Sequence, residues 1–207
     1  MDSTIGIFSL YWNNVDSEIV AWQKRVFDKI GFSINQHNIN GVNHGSWIDD
    51  VMKQYENVDV YLFLDIDCVP LSKEALNETF KAAQKYGLAG AEGAANHLDP
   101  NKNYIAAWYV AISRSMWLEK GKPSAMADEN NDVCQRWTEE WRKDNSSLVI
   151  YQPIKSIIPR WDLPNRKLAY GIGTQYENIC FHLFESRERK HTEYFISECK
   201  KIISEKA

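Results

Sequence analysis

The sequence predicts an α/β protein with a mainly parallel central sheet and helices on both faces, and three observations carry that prediction. Strand-like apolar segments alternate with amphipathic helical segments through residues 4–87, the β-α-β-α-β-α order a parallel sheet requires. The third strand-like segment, VDVYLFLD (58–65), is apolar at nearly every position, as a strand buried on both faces is. That segment runs into two aspartates, Asp65 and Asp67, and ligands of such sheets bind beyond the carboxyl ends of the strands.

Each element has its own signal. TIGIFSLY (4–11) reads as the first strand and leads into the loop Trp12-Asn13-Asn14-Val15. A helix follows from Asp16 or Ser17 to Ile30, with Ile19, Val20, Trp22, Val26, Phe27 and Ile30 on its apolar stripe and Gly31 as its stop. FSINQHNI (32–39) is the second strand. After NGVNHG, Ser46-Trp47-Ile48-Asp49 has the form of a capping box and starts a helix to about Tyr55. Ser72 caps a helix through Lys85 that Gly87 ends. The second half is less regular. It reads as a short strand at 88–92, a polar loop at 94–103, a long strand YIAAWYVAI (104–112) and a short helix at 113–118. Then come a loop at 119–127, a helix from about Asp128 to Lys143, a strand at 148–154 and a long irregular loop at 159–174. NICFHLFES (178–186) is a strand, and 187–206 a closing amphipathic helix. With no repeat, low-complexity tract or flexible linker, residues 1–207 read as one domain.

Composition narrows the function classes. A net charge of −4 argues against a nucleic-acid backbone binder. Eight tryptophans and ten tyrosines exceed what a core of this size needs and suit a protein that stacks rings on sugars or bases. No apolar stretch approaches the roughly 20 residues of a membrane span, and nothing resembles a signal peptide. Cys68, Cys134, Cys180 and Cys199 lack zinc-type spacing and read as free thiols of a reducing cytoplasm. The acceptor patterns at Asn77 and Asn145 are accordingly discounted.

Asp65 and Asp67 sit two apart, so both carboxylates point to the same side where the strand leaves the sheet. Like charges that close repel, and a divalent cation with oxygen ligands is the simplest neutraliser. The alternative is an acidic strand end that starts the turn toward Pro70.

A βαβαβ half whose third strand ends in apolar-apolar-Asp-x-Asp resembles the GT-A glycosyltransferases, in which YLFLDIDCVPL (61–71) would be the DxD motif. YIAAWYVAISRSMW (104–117) resembles the family's acceptor-side strand, and FHLFESR (181–187) its late strand with a metal-binding histidine. The resemblance covers most of the chain. Small stand-alone enzymes of this kind, among them glycosyltransferases of large DNA viruses of algae, are similar, which would put the chain in a host cytoplasm.

The resemblance implies a metal-dependent transfer from a UDP-sugar donor to a glycan or glycoprotein acceptor. Asp67 would bind Mn²⁺ or Mg²⁺ directly, Asp65 would reach the ribose or the metal, and His182 would be the third protein ligand. Arg187, Arg189 and Lys190 would cover the diphosphate, or else merely solvate a helix start. Tyr11, Trp12 and Asn13 lie where the family docks the base, with Trp12 equally readable as a core plug. His37, Asn38 and Asn43-His44-Gly45 face the same crevice. Inverting members carry Glu-Asp-x-Asp-Leu before a helix. Here Asp128, Glu129 and Asp132 are the candidates for the base that deprotonates the acceptor, while Asn130 stands where that pattern has Asp. These acids equally suit a helix N-terminus, and the stereochemistry stays open.

Two rivals remain. A phosphatase of the haloacid-dehalogenase type would use Asp65 as nucleophile and Asp67 as acid/base, but Cys68-Val69-Pro70 replaces the Gly-Thr usual after its second aspartate. A non-catalytic sugar-binding module would explain the tryptophans but has no need of paired carboxylates at the end of a parallel strand.

Overall fold

The computed structural model describes residues 3–99, 101–163 and 169–204. In the first half, β1 (Ile5–Tyr11), α1 (Ser17–Ile30), β2 (Asn35–Asn38), α2 (His44–Gln54), β3 (Val60–Asp65), β4 (Cys68–Pro70) and α3 (Lys73–Tyr86) follow in order. Asp16 caps α1 by accepting the Glu18 N–H at 3.0 Å, and Gly31 ends it at φ 81°, a left-handed conformation that glycine adopts without cost. Ser72 caps α3 as expected, accepting from the Ala75 N–H. The cap of α2 is Asn43 rather than Ser46. The Asn43 side chain accepts the Ser46 N–H, so the helix starts ahead of the serine.

The second half contains β5 (Leu88–Ala94), β6 (Asn103–Ser113), α4 (Arg114–Glu119), α5 (Gln135–Lys143), β7 (Val149–Tyr151), β8 (Pro153–Asp162), β9 (Ala169–Tyr176), β10 (Cys180–Leu183) and α6 (Thr192–Ser204). Three expectations are corrected here. The helix expected from Asp128 begins at Gln135, because Asp128 spends its carboxylate on the backbone of Asn130 and Asn131 and holds the segment in a turn. The expected loop over 159–174 instead contains the end of β8 and the start of β9, its part at 164–168 lying outside the described residues. Residues 187–191 are turn and a short 3-10 helix before α6 starts at Thr192.

The six-stranded sheet has the order β2-β1-β3-β6-β5-β7, with every neighbouring pair parallel except those made by β6. Along β3 the side chains alternate between two cores. Leu62 and Leu64 join Phe27, Leu76 and Phe80 on one face, and Tyr61 and Phe63 join Trp47, Trp137 and Trp141 on the other. Burial on both faces is why this strand reads as a continuous apolar run. A second, antiparallel sheet has the order β4-β10-β9-β8, and a third apolar cluster packs its Phe181 and Leu183 against Ile19 and Val26 of α1 and Phe195 of α6. Trp47, Trp117, Trp137 and Trp141 are buried, so half of the eight tryptophans are core. The four cysteines are free and buried, and among the described residues no helix is long and apolar enough to cross a membrane.

Candidate metal centre and donor cavity

The junction of the two sheets makes the site. β3 ends at Asp65, Ile66-Asp67 turn, and β4 starts at once on the second sheet. Fully buried Gln23 of α1 holds that turn, its Nε2 donating to the carbonyls of Asp65 (2.8 Å) and Cys68 (2.9 Å). Gln36 of β2 in turn donates to Gln23 Oε1. On the other side β10 pairs antiparallel with β4, setting His182 opposite Cys68, and the Leu183 N–H donates to the Asp67 carbonyl at 2.9 Å. A residue from the end of the chain thus completes an acidic pair from its first third.

His182 Nε2 lies 3.3 Å from Asp67 Oδ1 and 3.5 Å from Asp65 Oδ2, and the three candidate ligand atoms all lie within 4.8 Å of one another. An octahedral ion with bonds of about 2.1 Å has ligand-to-ligand edges of about 3 Å, so the donor set fits a divalent cation. Two carboxylate oxygens and an imidazole suit Mn²⁺ in particular, since nitrogen ligands favour it over the harder Mg²⁺. The imidazole is fixed by packing: its ring stacks on Trp108 (5.4 Å, 11°), Phe184 meets it edge-on at 4.1 Å, and it is 2% exposed. Its Nδ1 is buried without a hydrogen-bond partner among the described residues. Burial pushes the His182 pKa down, but the facing Asp65 and Asp67 carboxylates outweigh it and raise it to about 9. Burial pushes the Asp65 carboxyl up, and His182, His44 and Arg187 together bring it below its ordinary value. His44, at the start of α2, adds a second imidazole 3.7 Å from Asp65 Oδ1.

These groups wall a cavity of about 670 Å³. Its lining includes Tyr11, Trp12, Asn43 and His44 on one side and Phe184, Glu185, Arg187 and Glu188 on the other. The Arg187 guanidinium lies over the Trp12 ring at 5.3 Å, which joins the loop after β1 to the loop after β10. The structure therefore brings Tyr11, Trp12, Asp65, Asp67, His182 and Arg187 together. Asn13 is turned away, accepting from Asn38 and lining a neighbouring cavity of about 610 Å³. His37 does not line this cavity: its Nδ1 accepts from Trp47 Nε1 at 3.0 Å, and its ring packs on Phe8 and Tyr55. Lys190 is not a lining residue and pairs with Glu188, which is, at 2.6 Å, and the Arg189 side chain is 89% exposed.

Asp128, Glu129 and Asp132 lie on the loop before α5 and do not line this cavity. Asp128 accepts from the N–H groups of Asn130 and Asn131 and pairs with Arg136, and these contacts hold its carboxyl down at about 2. Asp132 accepts from the Tyr104 hydroxyl and the Val133 N–H. Glu129 is exposed and touches only the Asn130 side chain among the described residues, at 3.4 Å. A second group, Glu185, Glu188 and His191, has its carboxylates already neutralised by Arg160 and Lys190.

Sequence reasoning missed Gln23 and β4. The signal for Gln23 was present, a glutamine among apolar residues on the buried stripe of α1. The three residues of β4 carry no periodicity to find.

No protein-family model matches the sequence, and no curated protein does. Among solved structures, the catalytic domain of Drosophila β1,4-galactosyltransferase 7, in complex with xylobiose, superposes with a TM-score of 0.52 at 12% identity, covering 94% of this chain and 79% of that one. The fold is GT-A. A mutant of the same fly enzyme, in complex with manganese, UDP-Gal and xylobiose, matches at a TM-score of 0.47, 13% identity and coverage of 89% and 73%. A glycosyltransferase involved in glycosylation of the major capsid of PBCV-1 matches at 0.47, 12% identity and coverage of 75% and 85%. On this GT-A scaffold the acidic pair occupies the junction between the six-stranded sheet and the smaller antiparallel one.

Proposed function

We propose that this chain is a divalent-metal-dependent glycosyltransferase that moves a sugar from a UDP-sugar to a hydroxyl of a glycan or glycoprotein. The observation that carries the reading is the convergence of Asp65, Asp67 and His182 on the wall of a cavity that also presents an aromatic ring and a guanidinium. Asp67 and His182 Nε2 hold the cation, and Asp65 holds it or the ribose. When bound, the cation neutralises charge on the departing diphosphate. Trp12 or Tyr11 stacks on the uracil, and Arg187, already beside Trp12, covers the phosphates. The acceptor hydroxyl gives its proton to a carboxylate of the loop before α5. Glu129 has the most available carboxylate for that role, because Asp128 and Asp132 have committed their oxygens to the loop.

The phosphatase alternative leaves His182 idle, although the imidazole faces both carboxylates. Release of UDP from UDP-sugars and of phosphate from aryl phosphates, each measured with and without Mn²⁺, separates the two. Mn²⁺-dependent UDP release with inert aryl phosphates is expected. Phosphate release that needs neither UDP nor its sugar would overturn the assignment.

A further inference from the structure

The loop that carries Asp128 and Glu129 is fastened to the same helix whose first turn walls the donor cavity. Gly45, the second residue of α2, lies directly under this loop. A Cβ there would come within 2.5 Å of the Met126 Cα and 2.7 Å of the Ala125 carbonyl oxygen, so the segment rests on the helix backbone itself. One turn further on, the Asp49 carboxylate grips the same segment with both oxygens: Oδ2 accepts from the Ser124 hydroxyl at 2.5 Å and Oδ1 from the Ala125 N–H at 2.8 Å. The Cys134 N–H then donates to the Ala125 carbonyl at 2.9 Å, which ties the far end of the loop to the clamped end. Immediately before Gly45, His44 lies 3.7 Å from Asp65, and Asn43 lines the cavity.

We propose that Asp49 is a positioning residue that couples acceptor chemistry to the donor site by holding the acidic loop in register with the metal centre. The proposal rests on the glycosyltransferase reading. One short helix sets both distances, from His44 to the acidic pair and from Asp49 to the acidic loop. A carboxylate with two acceptors matches the demand, since the hydroxyl and the N–H lie one residue apart. Without the clamp the loop keeps its internal bonds, its tether at α5, its packing on Gly45 and the indole bonds of Trp117 and Trp137 to the Pro123 carbonyl, but loses the side-chain hydrogen bonds that fix its register on α2. A misplacement of about 1 Å at a reacting group can cost about a hundredfold in rate. Transfer to an acceptor would fall, while donor binding and slow hydrolysis of the donor by water would not.

The experiment compares the wild-type chain with Asp49→Ala and Asp49→Asn. The asparagine retains the clamp, because its Oδ1 can accept the Ala125 N–H while its Nδ2 donates to the Ser124 oxygen. Three quantities are read. They are UDP binding in Mn²⁺, amide exchange over residues 124–134, and UDP release from UDP-glucose and UDP-galactose with and without a panel of alkyl glycosides as acceptors. In Asp49→Ala, exchange in the loop should quicken while β3 stays protected. UDP binding and glycoside-free release should stay at the wild-type level, and glycoside-stimulated release should fall about a hundredfold through kcat. Asp49→Asn should restore it. Wild-type stimulation in Asp49→Ala overturns the proposal. So does equal loss of UDP binding, which would make Asp49 a general structural residue, or an Asp49→Asn as defective as the alanine, which would give the charge a direct role. A wild-type chain that binds no UDP in Mn²⁺ sinks the glycosyltransferase reading itself, a result distinct from loss of coupling in a chain that binds.

Discussion

Asp65-Ile66-Asp67 and Asp128-Glu129-Asn130-Asn131-Asp132 are two acidic segments of similar composition and opposite bonding. The carboxylates of the first take no backbone N–H among the described residues and face imidazoles at 3.3–3.7 Å. Those of Asp128 and Asp132 take backbone N–H groups, a tyrosine hydroxyl and a guanidinium. The first pair therefore leaves its lone pairs free of the backbone, and the second segment spends most of its own on its own shape. A carboxylate's availability, more than its presence in a motif, marks it as a ligand or a base.

The sharpest way to break that contrast is Asp67→Asn. If Asp67 holds the cation as proposed, removing its charge while the diphosphate stays charged should withdraw several kcal/mol of transition-state stabilisation, about 10³-fold or more in turnover. Circular dichroism and Mn²⁺-dependent UDP release test it together: the fold should persist and turnover vanish. Near wild-type Mn²⁺-dependent turnover would remove Asp67 from the metal site.

Within the second segment, Glu129→Gln should cost about 10²-fold in transfer, the lower end for loss of a general base, with no change in UDP binding. Asp128→Asn should instead quicken amide exchange across 128–134 and lower transfer less. If Asp128→Asn proves the more damaging to kcat with its loop still protected, the base is Asp128 and the bonding argument fails.

The same contrast explains what was legible in the sequence. Strand β3 and its aspartates stood out because burial on both faces leaves an apolar run that one-dimensional patterning shows directly. The caps of α1 and α3 were legible for a similar reason, since capping is a local interaction. The acidic segment misled because Asp and Asn favour a helix N-terminus and a self-bonded turn alike, and only the three-dimensional partners Arg136 and Tyr104 decide between them. Strands β8 and β9 were hidden by Pro159 and by Ile158, which takes φ 53° just before the register shift between Pro159 and Trp161, where Gly171 admits the Ile158 carbonyl. His182 could be named from the sequence, but its distance to Asp67 depends on β4, which three residues encode. His37 lies outside the cavity lining, and its Nδ1 is taken by Trp47 of α2, a partner that no local pattern announces.

The Trp12 end of the cavity offers a smaller test. Trp12→Ala should weaken UDP binding by about 1–3 kcal/mol, the scale of one base–aromatic stack, and leave binding of Mn²⁺ alone unchanged. Isothermal titration of Mn²⁺, then of UDP at saturating Mn²⁺, separates the two. An unfolded variant would instead make Trp12 a core plug, and undiminished UDP affinity would move the base to Tyr11 or elsewhere.

The smallest effect concerns protons. An unperturbed histidine would lose its proton near ~6.5, but His182 is raised to about 9 by the two carboxylates it faces. At neutral pH the site therefore holds a proton on Nε2, the nitrogen proposed to bind the cation. Binding must expel it, so Mn²⁺ affinity should rise about tenfold per pH unit below the histidine's own pKa and level off as pH passes it. The window thus lies above, not around, the ordinary histidine range. Asp128, held at about 2, stays ionised throughout and adds no slope. His182→Ala should bind Mn²⁺ more weakly at high pH and lose the slope, because Asp65 and Asp67 then act without a competing proton. Titrating Mn²⁺ at pH 6.5, 7.5 and 8.5 into both proteins, with the protons released measured in buffers of different ionisation enthalpy, distinguishes the outcomes. Parallel slopes would mean that another group carries the proton and that His182 faces the acidic pair without binding the ion.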